Sequence, residues 1–191
     1  MERKRFVERK RFVVVTGGPG AGKSTLIDAL AAAGHHRSWE AGRGVIRDQA
    51  AIGGRALPWT DPGLFAELML CWELRSYHEA AERPGTVYFD RGLPDVIGYL
   101  RLEGRPVPAH VRAAAERFRY HPRVFTAPPW PEIYARDTER RQSYEEAVRT
   151  HEAVTAAYAE LGYEAVELPR AAVGERVRFV TGRVAADAGG V

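Results

Sequence analysis

Eight consecutive residues, Gly17-Gly18-Pro19-Gly20-Ala21-Gly22-Lys23-Ser24, follow the spacing G-x-x-x-x-G-K-[ST], which suits the binding of nucleotide phosphates. The glycines let the backbone curl until successive N–H groups converge on phosphate oxygens. The helix that must follow adds the partial positive charge of its N-terminus. Lys23 can reach the β- and γ-phosphates, and Ser24 offers a hydroxyl to Mg²⁺, whose shell otherwise consists of water and phosphate oxygens. Lysine occurs elsewhere only at Lys4 and Lys10, against 25 arginines, so Lys23 is the sole lysine beyond the N-terminal tail.

Other candidates must lie at the carboxyl ends of the remaining strands, where ligands of an open α/β sheet gather. Asp90-Arg91-Gly92 directly follows the apolar run Val87-Tyr88-Phe89. Asp90 could order Mg²⁺ through water or take a proton from an attacking hydroxyl, while Arg91 could hold an acceptor or a transferring phosphoryl group. The competing structural role is a helix N-cap by Asp90 with Arg91 in an ion pair. Glu40 and Arg43, in Trp39-Glu40-Ala41-Gly42-Arg43, could bind a polar acceptor by charge and bidentate hydrogen bonding, or form a surface pair one helical turn apart. Trp39 could stack on a planar ligand or join the core. A third cluster, Arg136, Asp137, Glu139, Arg140 and Arg141, could form a mobile lid whose arginines close over the transferring phosphoryl group, or simply a solvated helix start. His35, His36, His78, His110, His121 and His151 show no metal-ligand spacing.

Composition removes several alternatives. Asparagine is absent, so there is neither a glycosylation sequon nor the standard Asn-Lys-x-Asp guanine motif. One cysteine, Cys71, makes no internal disulfide and reads as a buried helix residue. No apolar run approaches the length that spans a bilayer, and the charged N-terminus lacks a signal-peptide core, so a cytoplasmic location is expected. The net charge of +3 suggests a polyanionic partner until its distribution is inspected: residues 1–11 carry six basic and two acidic side chains, and residues 12–191 hold 22 basic against 23 acidic. There is no basic stripe with interleaved aromatics, so no nucleic acid is expected.

The 191 residues suffice for one domain with a sizeable core. A tandem hexapeptide, Glu2 to Val7 repeated as Glu8 to Val13, opens the chain. Residues 1–10 are expected to form a flexible basic arm, residues 11–187 a single domain with a lid at about 129–145, and residues 188–191 a tail. Strands are predicted near Arg11 to Thr16, His36 to Glu40, Thr86 to Asp90, Arg123 to Thr126 and Glu164 to Leu168. Helices are predicted at about Gly22 to Ala33, Gly42 to Ile52, Asp61 to Glu82, Pro94 to Leu102, Pro108 to Phe118, Ser143 to Leu161 and Val173 to Ala186. In the long third helix, Leu64, Leu68, Cys71, Trp72 and Leu74 mark the apolar positions, with Asp61 as cap and Pro62 at the first position. This alternation predicts a parallel sheet with right-handed crossovers and helices on both faces.

Four stretches together resemble the AAA-domain predicted ATPases related to the nicotinamide riboside kinase domain of NadR proteins. They are Thr16 to Thr25, Glu40-Ala41-Gly42-Arg43, Phe89-Asp90-Arg91-Gly92-Leu93-Pro94-Asp95, and Tyr134 to Arg141 with Ser143 to Ala147. The resemblance covers most of residues 11–183 and implies a three-layer P-loop fold of the nucleoside and nucleotide kinase type. It implies a five-stranded sheet in order 2-3-1-4-5, an acceptor site after strands two and three, and an arginine lid. Carried over, Gly17 to Thr25 would bind the nucleotide, with Ser24 on Mg²⁺ and Asp90 on Mg²⁺ through water. Lys23, Asp90, Arg91, Arg140 and Arg141 would be catalytic; Glu40, Arg43, Asp90 and Arg91 would line the acceptor pocket. The expected function is transfer of the γ-phosphoryl group of Mg·ATP, with GTP as the alternative donor, to a hydroxyl of a nucleoside-like or other small metabolite by a monomer or homodimer. The rival is a nucleotide-dependent switch or phosphoinositide-binding protein with little turnover.

Overall fold

The computed structural model describes residues 11–134 and 143–189. Phe12–Gly17 (β1) opens with the apolar run Phe12 to Val15 and is buried along its whole length, as a central parallel strand must be. It is followed by Lys23–Ala32 (α1), His36–Arg37 (β2), Ala41–Ile52 (α2), Pro62–Ala81 (α3), Val87–Asp90 (β3), Leu93–Leu102 (α4) and Ala109–Arg117 (α5). The remaining elements are Arg123–Ala127 (β4), a 3₁₀ turn at Pro131–Ile133, Tyr144–Glu160 (α6), Glu164–Glu167 (β5) and Val173–Gly189 (α7). The strands form one five-stranded sheet in the order β2-β3-β1-β4-β5, with every pairing parallel. The strand order implied by the family resemblance is therefore observed.

Alternation along β1 divides the core into two layers. Phe12 and Val14 pack with Phe89, Phe65, Leu70, Ile97, Tyr120 and Tyr158 on the face covered by α2 to α6. Val13 and Val15 pack with Leu26, Leu30, Phe125 and Val180 on the face covered by α1 and α7. This is the three-layer arrangement in which both faces of a parallel sheet are sealed by helices.

Local signals account for the helix ends. Asp61 accepts a hydrogen bond from the Leu64 amide at 3.1 Å and Pro62 occupies the first helical position, as expected from sequence. Ser143 and Glu146 form a reciprocal capping box at the start of α6. Arg11, from the second copy of the hexapeptide, donates to the carbonyl oxygens of Ala80, Ala81, Arg83 and Gly85, and so closes the C-terminus of α3.

Two expectations require correction. The second strand is only two residues long: one further bond, from the Ser38 amide to the Tyr88 carbonyl, follows it before the chain leaves for α2. Cys71 is exposed rather than buried. The buried stripe of α3 is Phe65, Ala66, Met69, Leu70, Glu73, Tyr77 and Ala80, and a period of 3.6 places Leu64 and Cys71 on the opposite side. The predicted basic arm and the cluster Arg136 to Arg141, including Arg140 and Arg141, lie outside the described residues.

Candidate active site

Parallel register brings the key loops to one edge of the sheet. Val15 pairs with Asp90 and Gly17 with Ala127, so β1, β3 and β4 end together, and the Arg91 amide continues the ladder by donating to the Val15 carbonyl at 3.0 Å. Residues 17–22 curl from β1 into α1 with positive φ at Gly17 (128°), Gly20 (76°) and Gly22 (71°), a conformation that side chains rarely adopt. Space enforces glycine as well: a Cβ at Gly17 would lie 2.4 Å from the Ala127 carbonyl oxygen, and one at Gly18 would lie 2.2 Å from that of Ala147 on α6. The Gly20 position is covered by the ring of Tyr134, which packs edge-on against Tyr144 at 5.5 Å. Both described flanks of the predicted lid segment therefore reach the cradle.

Lys23 is buried, and its ammonium donates to the Gly18 carbonyl at 2.6 Å. Burial first, and the Arg91 guanidinium second, lower its pKa to about 8. Ser24 Oγ donates to Asp90 Oδ2 at 3.3 Å, while Asp90 Oδ1 is buried without a partner. Asp90 caps no helix, because the N-cap of α4 is Gly92. Burial and then the Glu40 carboxylate push Asp90 up to about 6, against the pull of Lys23 and Arg91.

Arg91 joins the loop that carries Glu40 to the first turn of α4. Its Nε donates to Glu40 Oε1 at 3.1 Å and its Nη1 to Asp95 Oδ1 at 3.0 Å, with its side chain 15% exposed. Burial opposes its charge, but Glu40, Asp95 and Asp90 outweigh it and hold the guanidinium above its usual range. Burial likewise works to raise Glu40, yet Arg91, Lys23 and Arg43 prevail and keep it below the ordinary carboxylate range. Arg43 Nε reaches Glu40 Oε2 at 3.1 Å, so the surface pair exists but shares a carboxylate that faces inward to Arg91. Trp39 is 65% exposed and does not belong to the core; the Arg37 guanidinium stacks over it at 3.9 Å. A recess of about 490 Å³ extends from Ser38 and Trp39 along the β2 edge of the sheet, between α2 and α3.

Three buried charged residues near this cluster add roles not assigned from sequence, although Asp95 ends the string Asp90-Arg91-Gly92-Leu93-Pro94-Asp95. Asp95 is 7% exposed and lies behind Arg91. Glu73, on the buried stripe of α3, is 2% exposed with Oε2 unpartnered; burial and then Asp95 and Asp90 raise its pKa well above the carboxylate range. Its signal in the sequence is an acidic residue on the 3.6-period face otherwise made of Met69, Leu70 and Tyr77. Arg176 on α7 donates to the carbonyl oxygens of Ala21 (3.2 Å) and Gly22 (3.4 Å), supporting the cradle from below. Among the described residues no His, Cys, Asp and Glu group forms a metal cluster, and no helix is long and apolar enough to cross a membrane.

Solved structures share this architecture. The chain is similar to deoxyadenosine kinase from M. mycoides, solved with products dCMP and a flexible dCDP, at 12% identity and TM-score 0.67, covering 92% of this chain and 99% of that one. It is similar to a NadR protein solved in complex with NR, at 20% identity and TM-score 0.68, covering 98% of this chain but 53% of that one. Shikimate kinase from Acinetobacter baumannii, solved with shikimate, aligns at 15% identity and TM-score 0.55, covering 96% and 98% of the two chains. At these identities the likeness establishes a common three-layer α/β fold. No curated protein matches the sequence. A family model described as an AAA domain matches residues 12–176, a span that holds the cradle, Glu40, Asp90 and Arg91, and the chain therefore belongs to that AAA-domain family.

Proposed function

We propose that this protein is an ATP-dependent small-molecule kinase that moves the γ-phosphoryl group of Mg·ATP to a hydroxyl of a nucleoside-like metabolite. The observation that carries this reading is the convergence of Lys23 and Ser24 with Asp90, and of Arg91 with Glu40, at one edge of the sheet. A nucleotide-binding site with no acceptor would have little use for the second, buried charge cluster beside the cradle.

In this reading the loop amides of residues 17–22 and the start of α1 hold the phosphates, and Lys23 turns from the Gly18 carbonyl to the β- and γ-oxygens. Ser24 Oγ and the Asp90 carboxylate are hard oxygen donors set side by side, which fits Mg²⁺, with Asp90 acting through water. When bound, the ion would supply charge neutralisation on the phosphate oxygens. The acceptor oxygen attacks the γ-phosphorus, the bond to the β–γ bridging oxygen breaks, ADP leaves, and the hydroxyl proton passes to Asp90. A carboxyl at about 6 is matched to that task near neutrality, and its unpartnered Oδ1 is the atom that would accept. Arg91 and Arg43 would orient the acceptor with Glu40, Arg91 and Lys23 would also stabilise the transferring phosphoryl group, and Arg140 and Arg141 would close on its equatorial oxygens. The exposed indole of Trp39, next to Glu40, supports an acceptor with a planar ring, as do the dCMP and NR of two structural neighbours.

The test is ADP release with the purified protein across nucleosides, aminoglycosides and other hydroxyl-bearing metabolites. Acceptor-dependent release by the wild type and its loss in Asp90→Asn is expected. Absence of any acceptor-dependent release, together with unchanged residual hydrolysis in Asp90→Asn, would overturn the reading. Arg140→Ala or Arg141→Ala should lower the transfer rate by about 10³- to 10⁵-fold as the loss of a lid arginine.

A further inference from the structure

Asp95 lies in the first turn of α4, and its two carboxylate oxygens accept four hydrogen bonds from three separate segments. Oδ1 accepts from Thr16 Oγ1, in β1 just before the cradle, and from Arg91 Nη1 at 3.0 Å. Oδ2 accepts from the Gly92 amide at 3.0 Å and from the Tyr158 hydroxyl at 2.8 Å, on the helix that follows the predicted lid segment. A carboxylate offers about four acceptor sites, so this one is saturated by the protein and has none to give a substrate.

The loop it holds is under constraint. Arg91 has φ of 72°, the sole positive value at a non-glycine among the described residues, and such a conformation persists only where surrounding contacts enforce it. Gly92 beside it leaves no slack: a Cβ there would lie 2.9 Å from the Tyr120 ring and 3.0 Å from the Tyr158 hydroxyl oxygen. Asp95 grips both the side chain of residue 91 and the amide of residue 92, which together define where the guanidinium points.

We infer that Asp95 is a positioning residue: it locks the Arg91 guanidinium in its place at the sheet edge and, through Thr16 and Tyr158, ties that place to the strand feeding the cradle and to α6. Loosening α6 then loosens Arg91 through their shared partner Asp95. The inference rests on the kinase reading of Arg91, so its test includes Arg91 itself.

The experiment measures Mg·ATP hydrolysis by the full chain, as released radiolabelled phosphate, for Arg91→Ala, Asp95→Asn and the double variant, with thermal melts as a check on folding. Asp95→Asn is expected to lower kcat by about 10- to 100-fold with KM for Mg·ATP within about threefold, and the double variant to fall no further than Arg91→Ala, as residues acting as a unit do. Thr16→Val and Tyr158→Phe each remove one donor and should lower kcat by about three- to tenfold, with Thr16→Ser restoring it. These two variants decide the matter if Asp95→Asn does not fold. Wild-type kcat in Asp95→Asn, or in both single-donor variants, overturns the inference, as do losses that multiply with that of Arg91→Ala. A wild-type rate in Arg91→Ala overturns the kinase reading of Arg91 and this inference with it.

Discussion

Arg91 and Glu40 are 51 residues apart in the chain and meet at 3.1 Å, Nε to Oε1, where β2 and β3 deliver their following loops to the same edge of the sheet. Each side chain is about one-sixth exposed, which shields the pair from solvent and salt far more than a surface pair. Glu40→Gln should therefore reduce acceptor-dependent ADP release more than Mg·ATP affinity, which calorimetry with a non-hydrolysable analogue should find within about threefold of wild type. Stability should fall by about 1–3 kcal/mol, less than for a fully orphaned charge, because Arg91 keeps Asp95. Equal losses of acceptor use and nucleotide affinity would count against the assignment of Glu40 to the acceptor side.

The free enzyme should show a bell-shaped dependence of kcat/KM for Mg·ATP on pH. The proposed transfer requires Asp90 ionised and Lys23 protonated, so the acid limb should rise through about 6 and the alkaline limb fall through about 8. The residual Mg·ATP hydrolysis of Asp90→Asn should lack the acid limb. A profile flat from pH 5 to 9 in the wild type would exclude both roles.

Glu73 should make folding stability depend on pH in the sense opposite to an ordinary salt-bridged carboxylate. Its folded pKa is raised, so the native state holds the proton more tightly than the unfolded chain. The stabilisation is complete below the model-peptide value near 4.5 and is lost as pH rises toward the elevated folded value. Glu73→Gln, which stays neutral, should flatten that decline, with a gain over wild type that grows by up to about 1.4 kcal/mol per pH unit. Urea melts at pH 5 and pH 8 provide the comparison; an identical difference at both would show that Glu73 does not titrate across the range.

Arg11 should contribute to stability although residues 1–10 need not. Its guanidinium serves four carbonyl groups, two in the last turn of α3 and two just beyond it, and Arg11→Ala should cost about 1–3 kcal/mol. Deleting residues 1–10 while keeping Arg11 should leave the melting temperature within about 2 °C of the full chain. A larger drop on deletion would assign the arm a packing role.

Local chemistry was legible along the chain. The run Phe12 to Val15 into a glycine-rich turn reads as a buried strand feeding a phosphate cradle, because positive φ at Gly17 and Gly22 and close backbone approach at Gly17 are backbone properties encoded by residue type. The Asp61-Pro62 start of α3 and the Ser143-Glu146 box of α6 are likewise short-range signals. Asp90 and Arg91 could be nominated from their place after an apolar run and Glu40 from the end of a predicted strand, but whether they met depended on strand order, which brings distant segments together through non-local pairing. Tertiary packing alone decided that Gly92 rather than Asp90 caps α4, that Cys71 faces outward, and that Trp39 is exposed. It also created the buried roles of Asp95, Glu73 and Arg176: a charged side chain reads as surface until the elements around it close and its desolvation must be met by partners from other parts of the chain.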